Sequence, residues 1–355
     1  MLTPAESGNS LTLTIDAELQ QKVYDTLTRI SEENDVTKAT AVAVDPRNGA
    51  VRSMVSLPSF DNNAFIGGIS QQEYQNLINN PDNPLLNRAI GGEYAPGSTI
   101  KPLLAGAFLD EGLITEETII NDPVGRLVIP NPFSPDNPTV FPDWKIHGIS
   151  DVKKSIADSV NMFYYIFGGG YQDRQGLGIE KMSTWYRSFG LGSPTGISLP
   201  SEKSGVIPDP EWKQARIGEP WRLGDTYNAS IGQGLVTTTP LQLAMYTSAI
   251  ANGGTLYKPY IVSSVHNFDK SDIIKTTEPE VVKTDLFTPE TMRIVKEGMR
   301  QTVTDGSGRR LSTLSFPASG KTGTAQTGAE RNNAWFISYA PSDNPEIALV
   351  VLFEE

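Results

Sequence analysis

Ser98 and Lys101 stand three residues apart in the stretch Tyr94-Ala95-Pro96-Gly97-Ser98-Thr99-Ile100-Lys101-Pro102. The Pro-Gly pair reads as a turn that ends the preceding segment. The spacing predicts a helix that starts at Ser98 and runs through Leu103, Leu104 and Phe108, with Ser98 and Lys101 on one face. A serine hydroxyl is a poor nucleophile until a base takes its proton. A lysine can act as that base only if burial or a nearby cation lowers its pKa. A helix N-terminus would also aim free N–H groups at an oxyanion formed there. Taken alone, the pattern more often marks an N-capping serine beside an unrelated surface lysine.

Two further stretches could join it. Upstream of Ser159-Val160-Asn161, the residues Val152, Ile156, Ser159 and Phe163 recur at helical spacing, an apolar face broken by one hydroxyl. An inward hydroxyl needs a partner or a role. On a continuous helix Ser159 and Asn161 would point to nearly opposite sides, so they act together only if the chain breaks there. A serine bonding back to its own helix fits equally well. In Ser319-Gly320-Lys321-Thr322-Gly323-Thr324-Ala325, small residues flank a lysine in a strand-like context, where a substrate backbone could lie as an added strand. Lys321 would bring a cation that lowers the pKa of Lys101 and attracts a carboxylate. A flexible Gly/Ser/Thr turn is the plainer alternative. A Ser-His-Asp triad would need His147 or His266, and neither lies in a recognisable catalytic context. Asp143 and His147 are weak metal-ligand candidates without cysteine beside them, so structural roles are expected.

The elements that must position these residues follow from pattern. Residues 11–16 alternate like a strand, and Asp16 then caps a helix with Leu19, Val23, Leu27 and Ile30 at helical spacing. Two strand-like runs, ATAVAVD and VRSMVSLP, flank the turn Pro46-Arg47-Asn48-Gly49, a hairpin signal. From about 95 to 310 the signals are mainly helical, with loops such as 131–144. Thr239-Pro240 and Thr288-Pro289 open two helices that end near Gly253-Gly254 and Gly306. After Ser315 three strands return, around SGKTGTAQ, AWFISYA and EIALVVLF. The expectation is an α+β fold: one five-stranded antiparallel sheet built from about 11–60 and 310–355, flanked by helices, with a helical lobe inserted.

Bulk composition narrows the function classes. The 355 residues are 38% hydrophobic and 20% charged, as in a globular protein with a sizeable core. A formal charge of -12 without a Lys/Arg cluster argues against nucleic acid as a partner. There is no cysteine, hence no disulfide and no thiolate metal site. No apolar run reaches the ~18 residues of a membrane span, and the first ten residues read as a residual linker.

With these residues in hand, the sequence resembles the penicillin-binding proteins, the serine D,D-transpeptidases. Ser98-Thr99-Ile100-Lys101, Ser159-Val160-Asn161 and Lys321-Thr322-Gly323 match that family's three motifs. The stretches AVAVDPRNGAVRSMVSLPSFDNNAF, NRAIGGEYAPGSTIKP and TGISLPSEKSGVIP are similar to class B, the monofunctional type. WRLGDTYNASIGQGLVTTTPLQLA is similar to the elongation-type members of side-wall synthesis. The resemblance covers almost the whole chain and implies a transpeptidase domain over 11–355. It also implies an N-terminal anchor, a non-catalytic pedestal and a C-terminal helix after the last strand. None of these is visible here, so the chain is expected to be a soluble piece of a protein on the extracytoplasmic face of the bacterial inner membrane.

The mechanism it implies runs residue by residue. Ser98 attacks the carbonyl between the terminal D-alanines of a peptidoglycan stem peptide, with Lys101 as general base. Ser159 relays a proton to the leaving amine, and Asn161 holds the substrate amide and Lys101. Lys321 and Thr322 bind the terminal carboxylate beside Gly323, and the N–H groups of Ser98 and Thr324 form the oxyanion hole. A neighbouring stem peptide resolves the acyl-enzyme, and β-lactams acylate Ser98. No cofactor is implied. A metal near the second motif is not expected, because Val160 stands where a cysteine ligand would. Implied partners are stem peptides, β-lactams, a membrane glycosyltransferase and other elongation-complex proteins. The same residues would serve a D,D-carboxypeptidase or β-lactamase, in which water takes the acyl group, or a β-lactam-binding sensor.

Overall fold

The computed structural model describes residues 7–130, 134, 136–328 and 332–354. Its central sheet draws strands from both ends of the chain. These are β1 (Lys38–Val44), β2 (Val51–Leu57), β3 (Ser319–Gln326), β4 (Asn332–Ala340) and β5 (Ile347–Glu354). Their order is β3-β4-β5-β1-β2, antiparallel throughout. The pairing of β5 with β1, with Val350 opposite Val42, closes the N-terminal hairpin onto the C-terminal meander. The five-stranded α+β arrangement expected from the sequence is therefore present.

Alternation along the strands gives the sheet two apolar faces. On one, Ala39, Ala41, Val55 and Leu57 pack with Leu27 of helix α1 (Ala17–Glu33). Asp16 caps α1 by accepting from the Leu19 N–H, as expected. Gln20 then ties the helix to β2, accepting from Ser53 and Met54 and donating to the Met54 carbonyl. On the other face, Val42, Val44, Ile337, Tyr339, Val350 and Leu352 join the main core. That face is covered by α5 (Pro240–Ala251) and the lobe behind it. Every residue of α5 is buried, which marks a core helix and not an amphipathic one. Thr239 and Gln242 form a capping box at its start.

The lobe carries α2 (Lys101–Asp110), α3 (Val152–Ala157), α4 (Asn161–Gly169) and α6 (Pro289–Thr304). Thr288 caps α6 as predicted.

Three expectations need correction. Residues 10–13 do form a strand, but it pairs with Val262–His266 in a separate three-stranded sheet. The stretch 95–310 also holds small two-stranded sheets, Ile120–Asp122 with Gly148–Ser150 and Arg126–Ile129 with Thr139–Pro142. The expected loop 131–144 is therefore partly strand, while 131–133 and 135 lie outside the described residues. Such short ribbons carry little periodicity, and their pairing comes from tertiary packing. Finally, the helix expected from Ser98 begins as a 3-10 turn, Gly97–Ile100, and becomes α-helical only at Lys101.

Candidate active site

The turn that bears Ser98 is pinned from three sides. Tyr94 exchanges backbone hydrogen bonds with Thr238, and the Trp335 indole N–H donates to the Ala95 carbonyl. The Gly97 N–H donates to the Gly232 carbonyl at 2.9 Å. Gly97 has φ +53°, and a Cβ there would lie 2.6 Å from the Thr324 carbonyl oxygen. A Cβ on Gly232 (φ +72°) would lie 2.2 Å from the Gly97 oxygen. Glycine at both positions lets three backbones meet: the Ser98 turn, edge strand β3 and the loop after Ser230. Half-buried Ser98 thereby sits at the sheet edge, and the Lys101 N–H bonds back to its carbonyl.

Lys101 is fully buried, and its ammonium donates to the Ser159 carbonyl at 2.8 Å, the Ser159 hydroxyl at 3.2 Å and Asn161 Oδ1 at 2.6 Å. The Tyr164 ring lies 5.1 Å from it. Burial pushes its pKa down to about 7, opposed by the charge of Asp143.

The second motif is built on a break. Helix α3 stops at Ala157, Ser159 takes a left-handed φ of +59°, and α4 restarts at Asn161. That break turns the Ser159 hydroxyl and the Asn161 amide to the same amine, as the sequence required.

Lys321 projects from β3, fully buried, and donates to the Thr322 carbonyl at 2.8 Å. Its pKa is held well below the ordinary lysine value, first by burial and then by the charge of Lys101, with Asp158 opposing. Burial is thus the first cause that lowers both lysines, and the Lys101 charge adds to it at Lys321. Thr322 shares a 2.6 Å hydrogen bond with Ser307, and Ser307 in turn donates to the Ala157 carbonyl at the end of α3. Gly323 is buried, since a Cβ there would come within 2.6 Å of the Thr99 methyl. Thr324 is exposed, and its carbonyl accepts from the Gln233 amide at 3.3 Å.

The three predicted motifs are thus brought together: Lys101 contacts Ser159 and Asn161, the turn at Gly97–Thr99 lies against Gly323 and Thr324, and the Lys101 charge reaches Lys321. Residues the sequence reading did not single out are Ser307, Gly232, Gln233 and Tyr164, whose roles rest on contacts distant in sequence. Asp143 and His147 meet, with the His147 ring nitrogen 3.4 Å from the Asp143 carboxylate and both side chains buried. Val160 supplies no donor. Among the described residues no group of three His, Cys, Asp or Glu side chains gathers around a common point.

A family profile described as the penicillin binding protein transpeptidase domain matches residues 39–355. The chain belongs to the penicillin-binding protein transpeptidase family. It is 36% identical to peptidoglycan D,D-transpeptidase MrdA of Haemophilus influenzae, over 99% of this chain and 54% of that protein. It thus spans about half the length of the curated relative. The crystal structure of Pseudomonas aeruginosa PBP2 in complex with WCK 5153 is 31% identical. It superposes with a TM-score of 0.85, covering 98% of this chain and 74% of that one. A complex between PBP2 and MreC from Helicobacter pylori gives 31% identity and a TM-score of 0.80, covering 97% of this chain and 60% of that one.

Proposed function

We propose that this domain is an acyl-transferring peptidoglycan D,D-transpeptidase whose nucleophile is Ser98. The observation that carries the reading is the Lys101 amine: buried, poised near neutrality and surrounded by Ser159 and Asn161. In its uncharged form it accepts the Ser98 proton as the hydroxyl attacks the carbonyl between two terminal D-alanines. Ser159, in contact with the same amine, passes a proton to the departing D-alanine nitrogen. Asn161 holds the substrate amide and Lys101. Lys321 and Thr322 face the terminal carboxylate, with Gly323 keeping the strand close. The N–H groups of Ser98 and Thr324 receive the oxyanion. The amine of a second stem peptide then takes the acyl group and closes a cross-link.

β-Lactams, as mimics of the D-Ala-D-Ala end, acylate Ser98. The MrdA likeness supports an elongation-type, class B role at the extracytoplasmic face of the inner membrane. The PBP2–MreC complex supports elongation-complex proteins as partners of the whole protein, and the proposal extends to a membrane glycosyltransferase. Among the described residues no helix is long and apolar enough to cross a membrane.

The test is covalent labelling with a fluorescent penicillin, read on a denaturing gel. Wild type takes the label and Ser98→Ala does not. An unlabelled folded wild type, or equal labelling of the variant, rules the reading out.

A further inference from the structure

Helix α4 begins without a cap of its own: Val160 stands at the N-cap position and offers no side-chain acceptor. Free N–H groups at a buried helix start need partners from elsewhere. One arrives from the segment before α3. The Asp143 carboxylate accepts the Met162 N–H at 2.9 Å. The preceding carbonyl, that of Pro142, accepts from the Asn161 amide nitrogen at 3.5 Å and from the Tyr165 hydroxyl at 3.2 Å. These contacts leave Asn161 Oδ1 turned to the Lys101 ammonium. The other Asp143 oxygen accepts the Trp144 N–H at 2.8 Å and lies against the His147 ring. The Asp143 side chain is wholly buried.

We propose that Asp143 is a positioning residue for the acyl-transfer site, capping α4 from outside and, with Pro142, setting the Asn161 amide that holds Lys101. The inference rests on the acyl-transfer reading above. It places one carboxylate at two tasks. It anchors the helix start that carries Asn161, and it supplies the negative charge that opposes the burial of Lys101. The other groups around that amine are the Tyr164 ring on α4 and Lys321 on β3. Asp158 at the end of α3 faces Lys321, and His147 faces Asp143. A purely structural cap would affect folding and leave the titration of the base in place.

The experiment measures the penicillin acylation rate against pH for wild type, Asp143→Asn and Asp143→Ala. The isosteric amide of Asp143→Asn can still accept from Met162 but has lost the charge. Its acid limb is expected at lower pH than in wild type, because the neutral amine forms more readily. Asp143→Ala also loses the cap, and its plateau rate is expected to fall at least about tenfold through misplacement of Asn161 and Lys101. An Asp143→Asn limb that coincides with wild type overturns the inference, as does a folded Asp143→Ala with a wild-type plateau. If Asp143→Ala does not fold, Asp143→Asn decides alone. A wild type that takes no label defeats the acyl-transfer reading instead, so the two failures are distinct.

Discussion

At the scale of single residues, the site turns on taking a cation out of water. A buried lysine disfavours its charged form, and the Asp143 charge opposes that effect on Lys101. Its three hydrogen-bond contacts run to Ser159 and Asn161. Lys101→Ala is therefore expected to abolish penicillin acylation, while circular dichroism and thermal melting show a folded chain. Near-normal acylation in that variant would remove lysine from the base role. The spacing of serines, lysines and Asn161 was legible in the sequence, because each motif is local and its residue types are chemically distinctive. The contributions of Asp143 and Ser307 were not. Asp143 meets Met162 nineteen residues on, and Ser307 meets Thr322 fifteen residues on, across elements that only the fold brings together.

At the scale of elements, catalysis depends on backbones meeting closely. The turn that carries Ser98, β3 and the loop after Ser230 touch through Gly97 and Gly232. Gly232→Ala combines a left-handed φ with a clash against backbone that cannot rotate away. It should cost more than about 1 kcal/mol of stability and slow acylation, because the displaced turn carries Ser98. Denaturant titration and labelling rate check the two halves. A variant with unchanged labelling would show that the loop does not hold the turn. Helix caps and the three C-terminal strands were readable because each has a sharp local signature: Asp16, Thr239 and Thr288 before helical spacing, and apolar alternation after Ser315. The short ribbons at 120–150 lack any such signature. Their residues pair because Asp122 and Gly148, or Leu127 and Phe141, are brought opposite each other by the lobe.

At the scale of the whole molecule, the sheet joins the two ends of the sequence, and Glu354 on β5 is a fastening point. Its carboxylate accepts from the buried Arg88 guanidinium and the Tyr94 hydroxyl, both at 2.9 Å, and lies 3.4 Å from the Lys38 ammonium. Tyr94 leads directly into the turn that carries Ser98, so β5 braces that turn. Burial and the Glu354 charge together hold the Tyr94 phenol in its neutral, donating form, with its pKa raised. Glu354→Ala would leave Arg88 buried without its counter-charge, a loss on the order of 3 kcal/mol. A lowered melting temperature together with slower labelling is the expected pair of results. An unchanged melting temperature would show that the contact contributes nothing to closing the sheet.

The central claim is that an amine kept uncharged near neutrality activates Ser98. The most direct measurement is the wild-type acylation rate constant as a function of pH. Lysine acts as base only when deprotonated, so with its pKa pushed down to about 7 the rate should rise with pH and level off just above neutrality. A rate that stays flat from acid to neutral pH, or that rises only as pH approaches the ordinary lysine range near about 10, would contradict the account.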